Sequence, residues 1–215
     1  LYELSDTINN LLNRIENAID REKQFTSDAS HELRTPLAII KGTLEVLIRK
    51  PREKQEYEEK INFCISEVDR VNKLVDELLL LARFENEKQN INPESILLNA
   101  LLLDTSARFS QKIKDKQCKI TNQFEGDFYT NSDYNLVSII VSNVFSNAVK
   151  YSDDSSTITV KLYKENNIIK CSISDEGIGI SEEDKDKIFN AFFRYESLSH
   201  PDIKGTGLGL SVVKR

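Results

Sequence analysis

Asn143-Val144-Phe145-Ser146-Asn147-Ala148-Val149-Lys150-Tyr151 is the stretch from which the second half of the chain is read. Asp133 stands where it can cap a helix that runs from there through Ala148. On that helix Asn143 and Asn147 fall one turn apart on one face. Two amide oxygens aimed the same way suit magnesium, a hard cation that keeps waters and shares phosphate oxygens. Taken alone, the pair reads better as an ordinary polar, solvated helix face. Glycine-rich loops follow: Asp175-Glu176-Gly177-Ile178-Gly179 after a predicted strand, and Gly205-Thr206-Gly207-Leu208-Gly209-Leu210 leading into an apolar helical stretch. Glycines let a backbone approach a ligand closely, and amides at a helix start bind phosphate. Each loop by itself also fits any tight turn.

Around this helix the texture is mixed. Helical periodicity from about Ile96 to Phe109 precedes a short strand around Lys119 to Phe124. Thr157 to Tyr163 and Ile168 to Ile173 read as strands joined by the polar turn Glu165-Asn166-Asn167. This half is therefore expected to be α+β, with helices on one side of a sheet.

The first half has another rhythm. Leu4, Ile8, Leu11, Ile15 and Ala18 alternate steps of four and three, the seam of a coiled-coil helix. The seam falters at Glu22, after which Phe25, Ala29, Leu33 and Leu37 step by four, a change that alters supercoiling locally. Helical spacing resumes through Ile40, Leu44 and Leu47 to Lys50-Pro51, where one helix should end and another begin. Ile61, Cys64, Val68, Val71, Val75 and Leu78 mark that second helix. A lone hairpin with stripes this wide cannot cover its own apolar surface, so pairing with a second copy into a dimeric four-helix bundle is expected.

Inside the first of these helices lies Ser30-His31-Glu32-Leu33-Arg34-Thr35-Pro36-Leu37. Neutral imidazole is a competent nucleophile toward phosphorus, and Glu32 is placed to fix the tautomer of His31 and accept the released proton. Thr35 shares the helix face of His31, where a hydroxyl can orient water. Pro36 removes a backbone donor and allows a bend just past the histidine. A histidine beside a glutamate on a helix is by itself an ordinary surface pair; the glycine loops downstream change that reading.

Composition excludes several classes. The 215 residues are 39% hydrophobic and 30% charged, enough for a core and a solvated surface. The net charge of −6 is spread along the chain without a basic block, so nucleic acid is not an expected partner. Cys64, Cys118 and Cys171 are widely spaced with no CxxC pair, and are expected to be buried free thiols. No apolar run reaches the ~18 residues a membrane span needs, so this part of the protein is expected to be soluble. Starting at Leu1 and lacking Met altogether, the chain reads as a fragment of something longer.

Together these stretches resemble the sensor histidine kinases of two-component systems. His31 to Leu37 matches their H box, Asn143 to Tyr151 the N box, Asp175 to Gly179 the G1 box, Ile188 to Arg194 the F box and Gly205 to Leu210 the G2 box, in order and spacing. The resemblance implies a multidomain chain. Residues 1–20 would be a linker helix, 21–88 an all-α hairpin for dimerisation and histidine phosphotransfer, and 89–215 an α+β (α/β sandwich) ATP-binding domain of the GHKL or Bergerat type. That last domain is expected to be C-terminally incomplete, since the family's sheet continues past the G2 box. It also implies a protein-histidine kinase that uses ATP and Mg2+ to phosphorylate His31 and passes the phosphate to a response-regulator aspartate. Thr35 would serve its removal.

By that match Asn147 is the magnesium ligand with Asn143 beside it, Lys150 contacts phosphate, Tyr151 lies against the base and Asp175 binds the adenine amino group. Gly177 and Gly179 would let adenine lie close. Arg194 to Lys204 would form a lid, with Arg194 on the terminal phosphate and His200 a solvated loop residue. Gly205, Thr206, Gly207, Leu208 and Gly209 would be hinge and phosphate-binding positions. In related ATPases the residue one turn before the metal-binding Asn is a water-activating Glu; here it is Asn143, and an amide is no general base. Slow hydrolysis until His31 is presented is the expected consequence. The expected partners are a second copy and a cognate response regulator, at the cytoplasmic face of the membrane, with attachment only through upstream segments. Competing readings are a dimeric scaffold or phosphatase-dominant relative, and an ATPase of the shared fold.

Overall fold

The computed structural model describes residues 2–85, 91–194 and 205–214. The chain divides into two compact units, Leu1–Leu79 and Leu80–Arg215.

The first unit is helical. Helix α1 spans Tyr2–Leu47 and α2 spans Lys54–Glu85, its last residues lying in the second unit. The break falls where Pro51 predicts it, and the side chain of Arg52 fastens the turn by donating to the Val46 carbonyl and pairing with Glu56. Helix α1 runs through residue 20 and through Pro36 without interruption. Pro36 and Leu47 on α1 and Cys64 and Leu74 on α2 are buried. Much of the remaining apolar stripe is not: Ile8, Leu11, Ile15, Leu37, Leu44, Val68 and Leu79 are each more than 40% exposed.

The second unit is built on the three-stranded sheet β2-β4-β5, with β2 at Lys119–Phe124, β4 at Thr157–Glu165 and β5 at Ile168–Ser174. Strands β4 and β5 form an antiparallel hairpin that pairs Glu165 with Ile168, and the turn residues Asn166 and Asn167 take φ of 48° and 65°. Asparagine tolerates that left-handed geometry better than most residues, so the turn forms without glycine. Strand β2 lies parallel to β4, which requires a long connection. That connection contains strand β3 (Tyr129–Ser132) and helix α5 (Tyr134–Tyr151).

Two elements correct the sequence reading. The helical spacing assigned from Ile96 begins later: Glu94–Leu97 is a strand, β1, antiparallel to β3, and α3 starts at Leu98 and runs to Arg108. Ile96 is buried in the core as a strand residue, and a four-residue strand abutting a helix leaves too short an alternation to separate from helical spacing. A short helix α4, Ser110–Asp115, follows α3. Cys171 is also corrected: Cys64 and Cys118 are buried, but Cys171 is exposed on β5.

Alternation along β4 buries Ile158, Val160 and Leu162 on one face. They join Leu101 and Leu102 of α3 and Phe145, Ala148 and Val149 of α5 in one core. The rings of Phe109 and Phe145 pack tilted against each other, 5.5 Å between centroids. Buried Asn99 fixes the turn before β3, donating to the Gly126 carbonyl and accepting from the Phe128 N–H, each at 2.9 Å.

Asp133 caps α5, its carboxylate accepting from the N–H groups of Asn135 (2.9 Å), Leu136 (3.2 Å) and Asn92 (3.2 Å). The bond from Asn92, then that from Leu136, holds its carboxyl below the ordinary value of 3.8. A carboxylate depressed in the folded state stabilises above its unfolded value, and that contribution disappears as pH falls through the folded value. Asp133→Ala is therefore expected to lower Tm by a few degrees near neutrality. In melts followed by circular dichroism, the gap to the native protein should narrow only below pH 3.8.

Candidate functional site

On the hairpin, the side chain of His31 is exposed and that of Glu32 half-buried. Arg70 of α2 reaches across to Glu32 at 3.7 Å and also stands 3.7 Å from Glu67, which is buried. The carboxylate beside the histidine is thus held by the facing helix. Thr35 donates its hydroxyl to the His31 carbonyl at 3.1 Å, so orienting a water would require it to turn away from the backbone. Pro36 has no N–H to offer the Glu32 carbonyl, leaving the helix ladder one bond short beside His31.

In the second unit, two glycine loops converge on the C-terminal half of α5. Gly177 of the first glycine loop forms an isolated bridge with Ser152, just past the helix. A Cβ at Gly177 would stand 2.0 Å from the Tyr151 carbonyl oxygen and 2.9 Å from the Asp175 carboxylate. Asp175 closes its own turn by accepting the Gly177 N–H at 3.1 Å and remains exposed. Gly179, at φ 69°, has open space around it. Glycine is needed at 177 for packing and at 179 for conformation.

The second glycine loop meets the same helix. A Cβ at Gly209 would stand 2.9 Å from Asn143 Oδ1, and one at Gly205 3.8 Å from Lys150 Nζ. Gly207, at φ 72°, lies against the Phe192 backbone and its carbonyl accepts the Phe192 N–H at 2.9 Å. Thr206 Oγ1 accepts the Leu208 N–H at 3.3 Å. Leu208 is fully buried, so its side chain anchors the loop and cannot itself meet a ligand. Helix α6, Gly209–Lys214, packs on α5 and on the 3₁₀ turn Lys187–Phe189, with Lys214 Nζ 5.4 Å from the centre of the Phe189 ring. Arg194 is half-buried. The remainder of the expected lid, residues 195–204 with His200, lies outside the described residues.

Asn143, Asn147, Lys150 and Tyr151 are thus brought together with Asp175, Gly177, Gly205 and Gly209. Among the described residues, no group of three or more His, Cys, Asp or Glu side chains could hold a metal. A cation here would depend on amide and phosphate oxygens, the donor set magnesium accepts. Half-buried Asn147 fits that need, because its amide makes no hydrogen bond among the described residues.

Sequence reading missed the residues that brace this site. Lys116, between α4 and β2, donates to the carbonyls of Lys150 (2.8 Å) and Ser152 (2.7 Å). Ser152 donates its hydroxyl to the Ala148 carbonyl at 2.6 Å, and Glu176 accepts the Thr157 N–H at 2.9 Å. Lys116 belongs to no recognisable motif and Ser152 only adjoins one, while Glu176 lies inside the first glycine loop without a role that the motif assigns.

Residues 132–215 match the family described as histidine kinase-, DNA gyrase B- and HSP90-like ATPases, and residues 21–87 match the His kinase A phospho-acceptor domain. The chain belongs to the sensor histidine kinases. The signal transduction histidine-protein kinase ArlS of Staphylococcus haemolyticus is 32% identical over 213 residues, covering 99% of this chain and 47% of that protein. Sensor protein IrlS of Burkholderia pseudomallei is 29% identical over 214 residues, covering 100% of this chain and 46% of that one. The chain thus spans about half the length of these curated relatives. Histidine kinase AdeS of Acinetobacter baumannii has the same fold, with a TM-score of 0.69 at 24% identity over 85% of this chain and 83% of its own. So does histidine kinase ThkA, solved in complex with response regulator protein TrrA, with a TM-score of 0.67 at 23% identity over 80% of this chain and 50% of that one. No described helix is long and apolar enough to cross a membrane.

The two glycines of the first glycine loop should respond differently to a methyl group. Gly179→Ala is expected to cost about 1 kcal/mol, the left-handed penalty alone. Gly177→Ala should cost about 3 kcal/mol or more, because backbone must move. Urea denaturation of both variants checks the order.

Proposed function

We propose that this chain is the core of a histidine autokinase in which the terminal phosphoryl group of ATP passes to His31 and then to an aspartate of a response regulator. The reading is carried by one combination: an exposed histidine in a phospho-acceptor domain, joined to an ATPase-type domain whose Asn143 offers no base to activate water. The unprotonated imidazole nitrogen forms the N–P bond as the bond from phosphorus to the ADP oxygen breaks. The proton on the other nitrogen leaves to Glu32, which Arg70 holds in place. Asn147 holds magnesium, with Asn143 beside it, and the ion when bound neutralises charge on the phosphate oxygens. Lys150 and the amides of Gly205, Gly207 and Gly209 hold the phosphates, and Arg194 meets the terminal one. Asp175 and Tyr151 select and seat adenine. Thr35, once turned outward, orients the water that removes phosphate from the regulator.

Two features support partners. The exposed stripe from Ile8 to Leu79 is what a second copy would cover in a four-helix bundle. The ThkA–TrrA complex supports a response regulator as the recipient. The membrane enters through segments outside this chain, with this core at its cytoplasmic face.

The test is incubation with magnesium and radiolabelled ATP. Acid-labile, alkali-stable label is expected on the native protein and none on His31→Gln. Asn147→Ala should slow labelling by about 100-fold or more. Label persisting in His31→Gln, or ATP consumed without any label, would sink the autokinase reading.

A further inference from the structure

The C-terminal end of α5 carries the site's densest group of side chains, yet a helix end leaves carbonyls without intrahelical partners. Serine supplies part of the answer, since the N–H and hydroxyl of Ser152 both donate to the Ala148 carbonyl, at 3.1 and 2.6 Å. The rest comes from far away in sequence. Lys116 donates to Lys150 O at 2.8 Å and to Ser152 O at 2.7 Å, the carbonyls on either side of Tyr151. Its charge also lies at the negative pole of the helix.

The anchor behind this ammonium is fixed. The Lys116 N–H donates to the Lys112 carbonyl at 3.1 Å, and the Lys116 carbonyl accepts the Ser155 N–H at 2.8 Å. Lys119 N–H donates to Ser156 O at 2.9 Å, where β2 starts beside β4. Neighbouring Lys112, Lys114 and Lys119 are exposed, whereas Lys116 is half-buried. Between the two carbonyls it holds stands the Tyr151 carbonyl, which leaves no room for a Cβ at Gly177 and so sets where the Asp175 turn can sit. Holding Lys150 and Ser152 therefore fixes the backbone against which that turn packs.

We infer that Lys116 is a positioning residue of the nucleotide site: it sets the register between the end of α5 and the Asp175 turn, and through it the preference for adenine over other bases. This rests on the nucleotide reading of the site, and the experiment separates the two. Binding of ATP and GTP with magnesium is measured by titration calorimetry for the native protein and for Lys116→Met, Lys116→Gln and Lys116→Arg. Circular dichroism melts identify the variants that fold. The expected result is native preference for ATP, at least a tenfold weaker ATP affinity in Lys116→Met or Lys116→Gln with little change for GTP, and recovery in Lys116→Arg, which keeps charge and donors.

A purely structural lysine would weaken both nucleotides alike, and that result would overturn the inference. So would unchanged ATP affinity in a folded Lys116→Met or Lys116→Gln. If Lys116→Met and Lys116→Gln both fail to fold, Lys116→Arg decides: native ATP preference in it supports the role, and loss of preference refutes it. Native protein that binds neither nucleotide would overturn the nucleotide reading itself, and this inference with it.

Discussion

The contact between the Tyr151 carbonyl and Gly177 is the constraint on which the second unit's site depends. The approach is so close that no side chain fits at 177. It brings the Asp175 turn to the end of the helix that also carries Asn143, Asn147 and Lys150. The opposite flank is closed by a second tight contact, Gly209 on Asn143, and that loop is held in turn by Gly207 on the Phe192 backbone. Each junction works because glycine lets backbones meet where a methyl group could not. Fully buried Leu208 ties the second loop to the core, so its amides are held by packing.

The hairpin follows a different logic. Its cohesion within one copy is partial, with half-exposed leucines, isoleucines and valines along both helices. Polar residues do their work beside His31: Arg70 spans the helices and engages both Glu32 and buried Glu67. A carboxylate restrained in this way is ready beside the histidine without being consumed by a direct contact from its own helix. On the proposed function, the nucleophile belongs to the first unit and the nucleotide to the second, and an amide at Asn143, where hydrolysis would need a base, favours transfer to His31 over transfer to water.

Long periodic features were legible in the sequence. The break at Pro51, the Asp133-capped helix and the hairpin turning at Asn166-Asn167 all appear where spacing and turn chemistry predict them. The four-residue strand at Glu94–Leu97 escaped because Ile96, Leu97 and Leu98 suit a helix stripe as well as a strand. Cys171 was misjudged because composition says which thiols tend to be buried and only sheet order says which strand is outermost. The glycine loops were recognisable, but the physical reason for Gly177, the carbonyl of Tyr151, depends on a contact between distant segments. Lys116 was illegible for the same reason. Nothing local distinguishes it from the lysines around it, and its role exists only once β2 lies beside β4.

The most direct test of this account is a crystal structure of the protein with magnesium and a non-hydrolysable ATP analogue. The adenine amino group is expected on Asp175, the metal on Asn147 and the phosphates along Lys150 and the second glycine loop, with the Ser152–Gly177 bridge intact. A nucleotide bound elsewhere, or a metal held without Asn147, would contradict that expectation.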